Sequence, residues 1–190
     1  MCDHLLESAL AYQRLNGKRY HILLGHRGRL ASINISFPAS GYHHLAGLHY
    51  LGINALNNRK TALDKIIRGE VALENTLSQK LETIKDRLLA ITQLESMISE
   101  CRRMYRYKGF EQKWSSIRAD YVIAHQNEDG PTLLFVIGSN GVDLVPTSVF
   151  ASDPDRYTQN CPPRKILRIT EEDIGTGKMT EVFCSPAYKQ

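Results

Sequence analysis

Three of the seven histidines are clustered in segment 42–49, which reads YHHLAGLH. Imidazole titrates near neutral pH, so it can both accept and donate a proton in general acid–base catalysis. Drawn as a continuous helix over residues 42–57, the segment places His44 and His49 on the leucine-rich face and His43 on the other face. We therefore expect His44 and His49 to point inward, either bonded to core partners or lining a cleft.

A metal ion is not the expected partner of these histidines. Helical ligand pairs are spaced three or four residues apart, whereas His44 and His49 are five apart, and no cluster of cysteine, histidine or aspartate follows. The four cysteines are scattered without CxxC spacing, which is typical of free thiols in a reducing compartment. No metal site and no cofactor are predicted.

The second half of the chain supplies cations and hydroxyl groups that could complete an acid–base site. These are Arg118, Thr147, Ser148, Tyr157, Lys165 and Arg168. The paired carboxylates of a magnesium nuclease are missing from the set. The set therefore favours metal-free cleavage of RNA. In that reaction the 2′-hydroxyl attacks its own phosphate, a base removes its proton, cations stabilise the phosphorane, and an acid protonates the leaving oxygen.

The elements that must position these residues are both helices and strands. A first helix is predicted over residues 3–15, a hairpin of two strands over residues 20–37, and a second helix over residues 42–57. Leucines and isoleucines at spacings of three, four and seven predict one long amphipathic helix over residues 78–105. Its apolar stripe would pack on the core or pair with a second copy in a homodimer.

The last third of the chain changes to short apolar and β-branched runs with turn residues between them. Hairpin connections imply an antiparallel β-sheet with helices packed on one face. We expect a single α+β domain over residues 1–190, with a helical middle segment at about 42–105.

Composition and motifs exclude several other classes of protein. The chain is 42% hydrophobic and 23% charged, which is ordinary for a globular protein, and no apolar run is long enough to cross a bilayer. The N-terminus lacks the features of a signal peptide, so we expect a cytoplasmic protein without membrane partners. There is no Walker loop, GxGxxG or GxSxG motif. A net charge of +4 permits contact with nucleic acid but is equally typical of a solvated mixed surface.

A series of short motifs occurs in a characteristic order along the chain. Phe37 ends a predicted strand and precedes HLAGLH at residues 44–49; ADY follows at residues 119–121, and PTSVF at residues 146–150. A lysine, Lys165, lies on a late strand. This order resembles the phage-associated nuclease-like proteins of the Barnase, EndoU, colicin nuclease and RelE superfold, specifically the fourth such family.

The resemblance spans residues 20–168 and implies that superfold and a nuclease activity. It makes His44 and His49 motif positions, with Ser148 and Lys165 as their partners. We therefore predict a metal-independent endoribonuclease, acting as a toxin or as an effector of a mobile element.

In this prediction His44 or His49 is the general acid–base, and Arg118 and Lys165 stabilise phosphate charge. The residues that position the substrate are Ser148, Thr147, Tyr157 and Arg168. RNA is the expected partner. The alternative is a non-catalytic module that binds RNA or a protein such as an antitoxin; a third reading is a hydrolase or transferase acting on a small phosphorylated ligand.

Overall fold

The computed structural model describes residues 4–71, 82–112, 114–127, 130–138 and 143–188. The α-helices in this part of the chain are α1 (His4–Leu15), α2 (Ala39–Leu45), α3 (Ala62–Ile67), α4 (Lys85–Thr92), α5 (Leu94–Ser99) and α6 (Asp155–Thr158). Short 3₁₀ helices cover Leu48–Tyr50, Asn54–Leu56 and Gly109–Glu111. None of these helices has the length and apolar composition that a membrane span requires.

The strands are β1 (Lys18–His26), β2 (Arg29–Ser36), β3 (Arg103–Arg106), β4 (Tyr121–Asn127), β5 (Gly130–Ile137), β6 (Asp143–Ala151), β7 (Pro163–Asp173) and β8 (Met179–Cys184). They form one sheet in the order β1-β2-β6-β5-β4-β3-β7-β8. Because β1 also pairs with β7, seven of the strands close into a barrel, and β8 is added beside β7.

The α+β class predicted from the sequence is confirmed, but the predicted antiparallel sheet with helices on one face is in fact a closed barrel with one parallel strand pair. The closing pair β1–β7 joins strands from opposite ends of the chain. The pair β2–β6 is parallel and short, with Asn34 opposite Asp143 and Ile35 opposite Leu144. Neither pairing leaves a local sequence signal, because the partner strands are separated by more than a hundred residues.

The core lies between the barrel strands and the helices. Along β1, Tyr20, Ile22 and Leu24 are buried, as alternation in a strand requires. Along β5, Leu134 and Val136 belong to the same core. The alternate residues of β5, Leu133 and Phe135, face the other side of the sheet. There they belong to a second, smaller core that is rich in aromatic side chains and consists of Tyr107, Val122, Leu133, Phe135, Tyr157 and Cys161.

The long helix predicted over residues 78–105 is wrong. The structure has α4 and α5, separated at Gln93, and then strand β3, so the helical middle segment ends before residue 103; residues 78–81 lie outside the described part. Pairing of β3 with β4 and β7 overrides the helical periodicity there. The apolar stripe itself is buried in the core of the single chain, through Ile84, Leu88, Ile91, Leu94, Met97 and Ile98.

The helix predicted over residues 42–57 is also much shorter than expected. Helix α2 begins at Ala39 and ends at Leu45, and Gly47 then adopts a left-handed φ of 71° before the first 3₁₀ helix. Since the helix does not continue through the motif, a helical wheel misplaces its histidines. His43 is buried, whereas His44 and His49 are exposed, which reverses the predicted orientation.

Candidate active site

The three histidines of segment 42–49 come together where the chain turns after α2. The ring centroids of His44 and His49 are 5.6 Å apart, with ring planes only 11° from parallel. The His43 ring is 6.1 Å from the His49 ring and is inclined to it by 30°. The next residue, Tyr50, lies with its ring centroid 4.0 Å from that of His49. Three groups able to transfer protons therefore share one small region, with an aromatic ring beside them.

Gly47 makes this arrangement possible. Its φ of 71° lies in the left-handed region, which favours glycine. A Cβ atom at this position would lie 3.0 Å from Cδ2 of Tyr50, and 3.2 Å from both Cδ of Arg87 and Cγ2 of Ile84. The glycine thus supplies the turn that folds His49 back towards His44, and it also lets helix α4 approach closely.

Two arginines surround the histidines with positive charge. Arg87 on α4 places its Cζ atom 5.6 Å from the centre of the Tyr50 ring. Partial burial lowers the pKa of His49 below its ordinary value of 6.5, and the charges of His44, Arg87 and Arg59 lower it further. A histidine with a lowered pKa is mostly neutral at pH 7, so it can accept a proton.

His43 forms the inner part of the cluster. It is only 5% exposed, and a hydrogen bond between its ring and the backbone of Leu56 holds it. Burial, followed by the charges of Arg59 and His49, lowers the pKa of His43, and the bond to Leu56 opposes this shift. Its Nε2 atom has no hydrogen-bond partner among the described residues. With its pKa lowered, the buried imidazole is mostly neutral at pH 7, and it lies beside the His49 ring.

The described residues contain no group of three histidine, cysteine or carboxylate side chains placed to hold a metal ion. The rings of His44 and His43 are both stacked against that of His49, with interplanar angles of 11° and 30°. The geometry suits proton transfer by imidazole.

The cations predicted from the second half of the chain lie in other parts of the molecule. Lys165, on β7, lines a groove that β3 and β4 also border. Arg118 lines a separate cleft, beside the ion pair between Arg106 and Asp120, whose closest atoms are 3.1 Å apart. Arg168 places its Cζ atom 5.9 Å from the Tyr188 ring centroid.

The hydroxyl groups predicted for the site are also dispersed. Ser148 is paired with Phe135 of the second core, so it lies on the opposite face of β6 from Val149 in the main core. Thr147 is the extra residue at a register shift, between the pairs Val136–Pro146 and Phe135–Ser148. Tyr157 is buried, with its ring centroid 5.3 Å from that of Phe135, and it belongs to the second core. The only predicted site residues that the described contacts bring together are His44 and His49.

Sequence reasoning missed the groups that complete the cluster, namely Tyr50, Arg59, Arg87 and an inward His43. Arg87 reaches the histidines only because α4 packs beside Gly47, and no spacing in the sequence indicates this. The glycine inside the motif was the one available signal, since glycine within a helical pattern often ends the helix.

The described residues thus form an α+β barrel whose surface carries imidazole and guanidinium groups together, the set of groups suited to acid–base chemistry on phosphodiesters. A family model described as phage-Barnase-EndoU-ColicinE5/D-RelE like nuclease 4 matches residues 4–183. The chain therefore belongs to this nuclease family, which confirms the resemblance seen in its motifs. No curated protein and no solved structure matches the chain.

Proposed function

We propose that the protein is a metal-independent endoribonuclease whose active site is the histidine cluster. The observation that carries the proposal is the stacked, exposed pair His44 and His49, with the charges of Arg59 and Arg87 acting on His49. Two imidazoles side by side supply a base and an acid, and neighbouring guanidinium groups supply fixed positive charge. The nuclease family of the chain supports phosphodiester cleavage as the reaction.

In the proposed reaction His49 is the general base and His44 the general acid. His49 is suited to the first role because its lowered pKa leaves it neutral near pH 7. It removes the proton of the 2′-hydroxyl, whose oxygen then attacks the adjacent phosphorus. The bond from phosphorus to the 5′-oxygen breaks, and His44 donates a proton to that oxygen. The products are a 2′,3′-cyclic phosphate and a free 5′-hydroxyl.

Arg59 and Arg87 stabilise the extra negative charge of the pentacoordinate phosphorane in this proposal. Their charges disfavour the protonated form of His49, which is the same electrostatic effect that favours an anion beside it. They take the role that the sequence assigned to Arg118 and Lys165. Tyr50, which is 62% exposed, offers a ring on which a base can stack.

The proposal is tested by incubating the purified protein with a single-stranded RNA in excess EDTA. We expect cleavage, with products that end in 2′,3′-cyclic phosphate, because the attacking group is the RNA's own hydroxyl. A 2′-O-methyl oligonucleotide of the same sequence is the matched control and should remain intact. Dependence on added magnesium, or equal cleavage of the methylated strand, would contradict the mechanism. Salt-sensitive binding without any cleavage would instead support the non-catalytic module.

The electrostatic role of Arg87 leads to a prediction about pH dependence. In Arg87→Gln a positive charge beside His49 is lost, so its imidazolium form becomes less unfavourable and its pKa rises. The base is then protonated at higher pH, and the acidic limb of the kcat/KM profile should move to higher pH. The profile of RNA cleavage between pH 4 and 8 measures this shift.

Lys85→Gln, on the same helix, removes the same charge at an exposed site where Nζ is 3.5 Å from Glu82. It should leave the acidic limb in place. A shift to lower pH in Arg87→Gln, or an equal shift in both variants, would show that Arg87 does not act on the base.

A further inference from the structure

Two cations lie directly opposite each other on neighbouring strands. Arg103 of β3 is paired with Lys165 of β7, on the face of the sheet opposite to the buried Met104 and Ile166. Like charges at directly opposed positions of a sheet destabilise it, because the side chains lie close together. Both residues are exposed, and neither has an acidic partner among the described residues. An anion that binds across both strands would relieve this repulsion.

The pair lines a groove of about 590 Å³. Arg102 and His125 also line the groove. The Arg102 guanidinium lies over the Phe183 ring, with Cζ 3.8 Å from the ring centroid, and donates to the backbone oxygens of Ser99 and Cys101. The carboxylate that lines it is Glu100, which lies at one end with Oε2 4.0 Å from Nε2 of His125. Positive groups therefore outnumber negative groups around the groove, and the field inside it favours a polyanion.

An aromatic ring is part of the same surface. Tyr105 follows Arg103 by two residues, so both side chains are on the same face of β3. The Tyr105 side chain is half-buried and also lines the groove. Cations that track a backbone, combined with an aromatic ring for a base, are typical of sites for single-stranded nucleic acid.

We infer that this groove binds the phosphate backbone of single-stranded RNA, as a subsite distinct from the histidine cluster. Arg103 and Lys165 contact phosphate oxygens, and Tyr105 stacks on a base. The inference deepens the proposed function and rests on it for the identity of the polymer. It assigns to Lys165 a role in holding the strand, away from the bond that is cut.

The test measures binding of a fluorescent 2′-O-methyl oligonucleotide, which cannot be cleaved through its 2′ position. Each phosphate contact contributes about 0.7 to the slope of log K against log salt, or about fivefold in affinity at 0.1 M salt. Lys165→Ala should therefore weaken binding about fivefold and lower the slope by about 0.7. Arg103→Ala should do the same. Lys178→Ala, near the other end of β7, is the matched control and should bind like the wild type.

Lys165→Glu gives a second, independent readout. It places opposite charges on β3 and β7, so the melting temperature should stay equal or rise, while RNA binding falls more than in Lys165→Ala. Wild-type affinity in both Lys165 variants, or an equal loss in Lys178→Glu, would overturn the inference. An acidic protein would then be the alternative ligand of the groove. Loss of binding in the groove variants of a protein that cuts no RNA would support the groove and reject the nuclease mechanism.

Discussion

Replacing His49 with alanine is expected to lower the rate of RNA cleavage in EDTA by about 10²–10⁴-fold, the usual contribution of a general acid or base. The variant has no group to take the proton of the 2′-hydroxyl. It also loses the stacking of the His49 ring on His44 and its tilted contact with the Tyr50 ring. Initial rates on a fluorescent RNA oligonucleotide measure the effect. His44→Ala should show a loss of similar size. The double variant should be little worse than either single variant, because the two residues act in one step.

His4→Ala is the matched control, since His4 is a partly exposed histidine on α1 that pairs with Glu7 at 3.3 Å. Its cleavage rate should equal that of the wild type, and circular dichroism should show that all variants are folded. Cleavage by His49→Ala at the wild-type rate would remove the histidine cluster from the mechanism.

Gly47→Val is expected to lower the free energy of unfolding by about 2–4 kcal/mol and to abolish cleavage. A β-branched residue is strained at a φ of 71°, and its Cβ would crowd Tyr50, Arg87 and Ile84. Relief of this crowding requires α4 to move away from the turn, which separates Arg87 from His49. Urea denaturation gives the stability change, and the EDTA cleavage assay gives the activity.

The variant Gly52→Val distinguishes backbone strain from crowding of the added Cβ as causes of the lost stability. Gly52 also has a positive φ, of 63°, but an added Cβ would meet no atom within 4 Å. Its cost should therefore be the backbone strain alone, about 1–2 kcal/mol. Equal destabilisation by the two variants would mean that close packing at Gly47 contributes nothing.

The parts of the fold that were predictable from the sequence are those set by neighbouring residues. The hairpin of β1 and β2 is an example, because Arg27 and Gly28 form its turn with positive φ values and the strands alternate on either side. The motif 44–49, together with ADY at 119–121 and PTSVF at 146–150, indicates the nuclease family that the family model confirms. Barrel closure and the strand identity of β3 depend on partners that are distant in sequence, and no local pattern carries that information.

The orientation of the histidines shows why the candidate site is harder to predict from the sequence than the fold class. A helical wheel is valid only while the helix continues, and the left-handed conformation of Gly47 interrupts the helix within the motif. After this turn His44 and His49 both lie at the surface, and His43 takes the interior position. Arg59 and Arg87 come close enough to act on His49 only in the folded chain, so the sequence points to Arg118 and Lys165 instead.

The closure of the barrel by β1 and β7 also sets the earliest time at which the fold can be completed during synthesis of the chain. Strand β1 pairs with β2 along one edge, and its other edge can be paired only after residues 163–173 of β7 have been synthesised. At about 5–20 residues per second, a ribosome needs roughly ten to thirty seconds to reach β7. Helix α2, which carries His43 and His44, packs on β6, itself synthesised late. A nascent chain therefore cannot close the barrel until residues 163–173 have been synthesised, and α2 cannot complete its packing on β6 until that strand has been made.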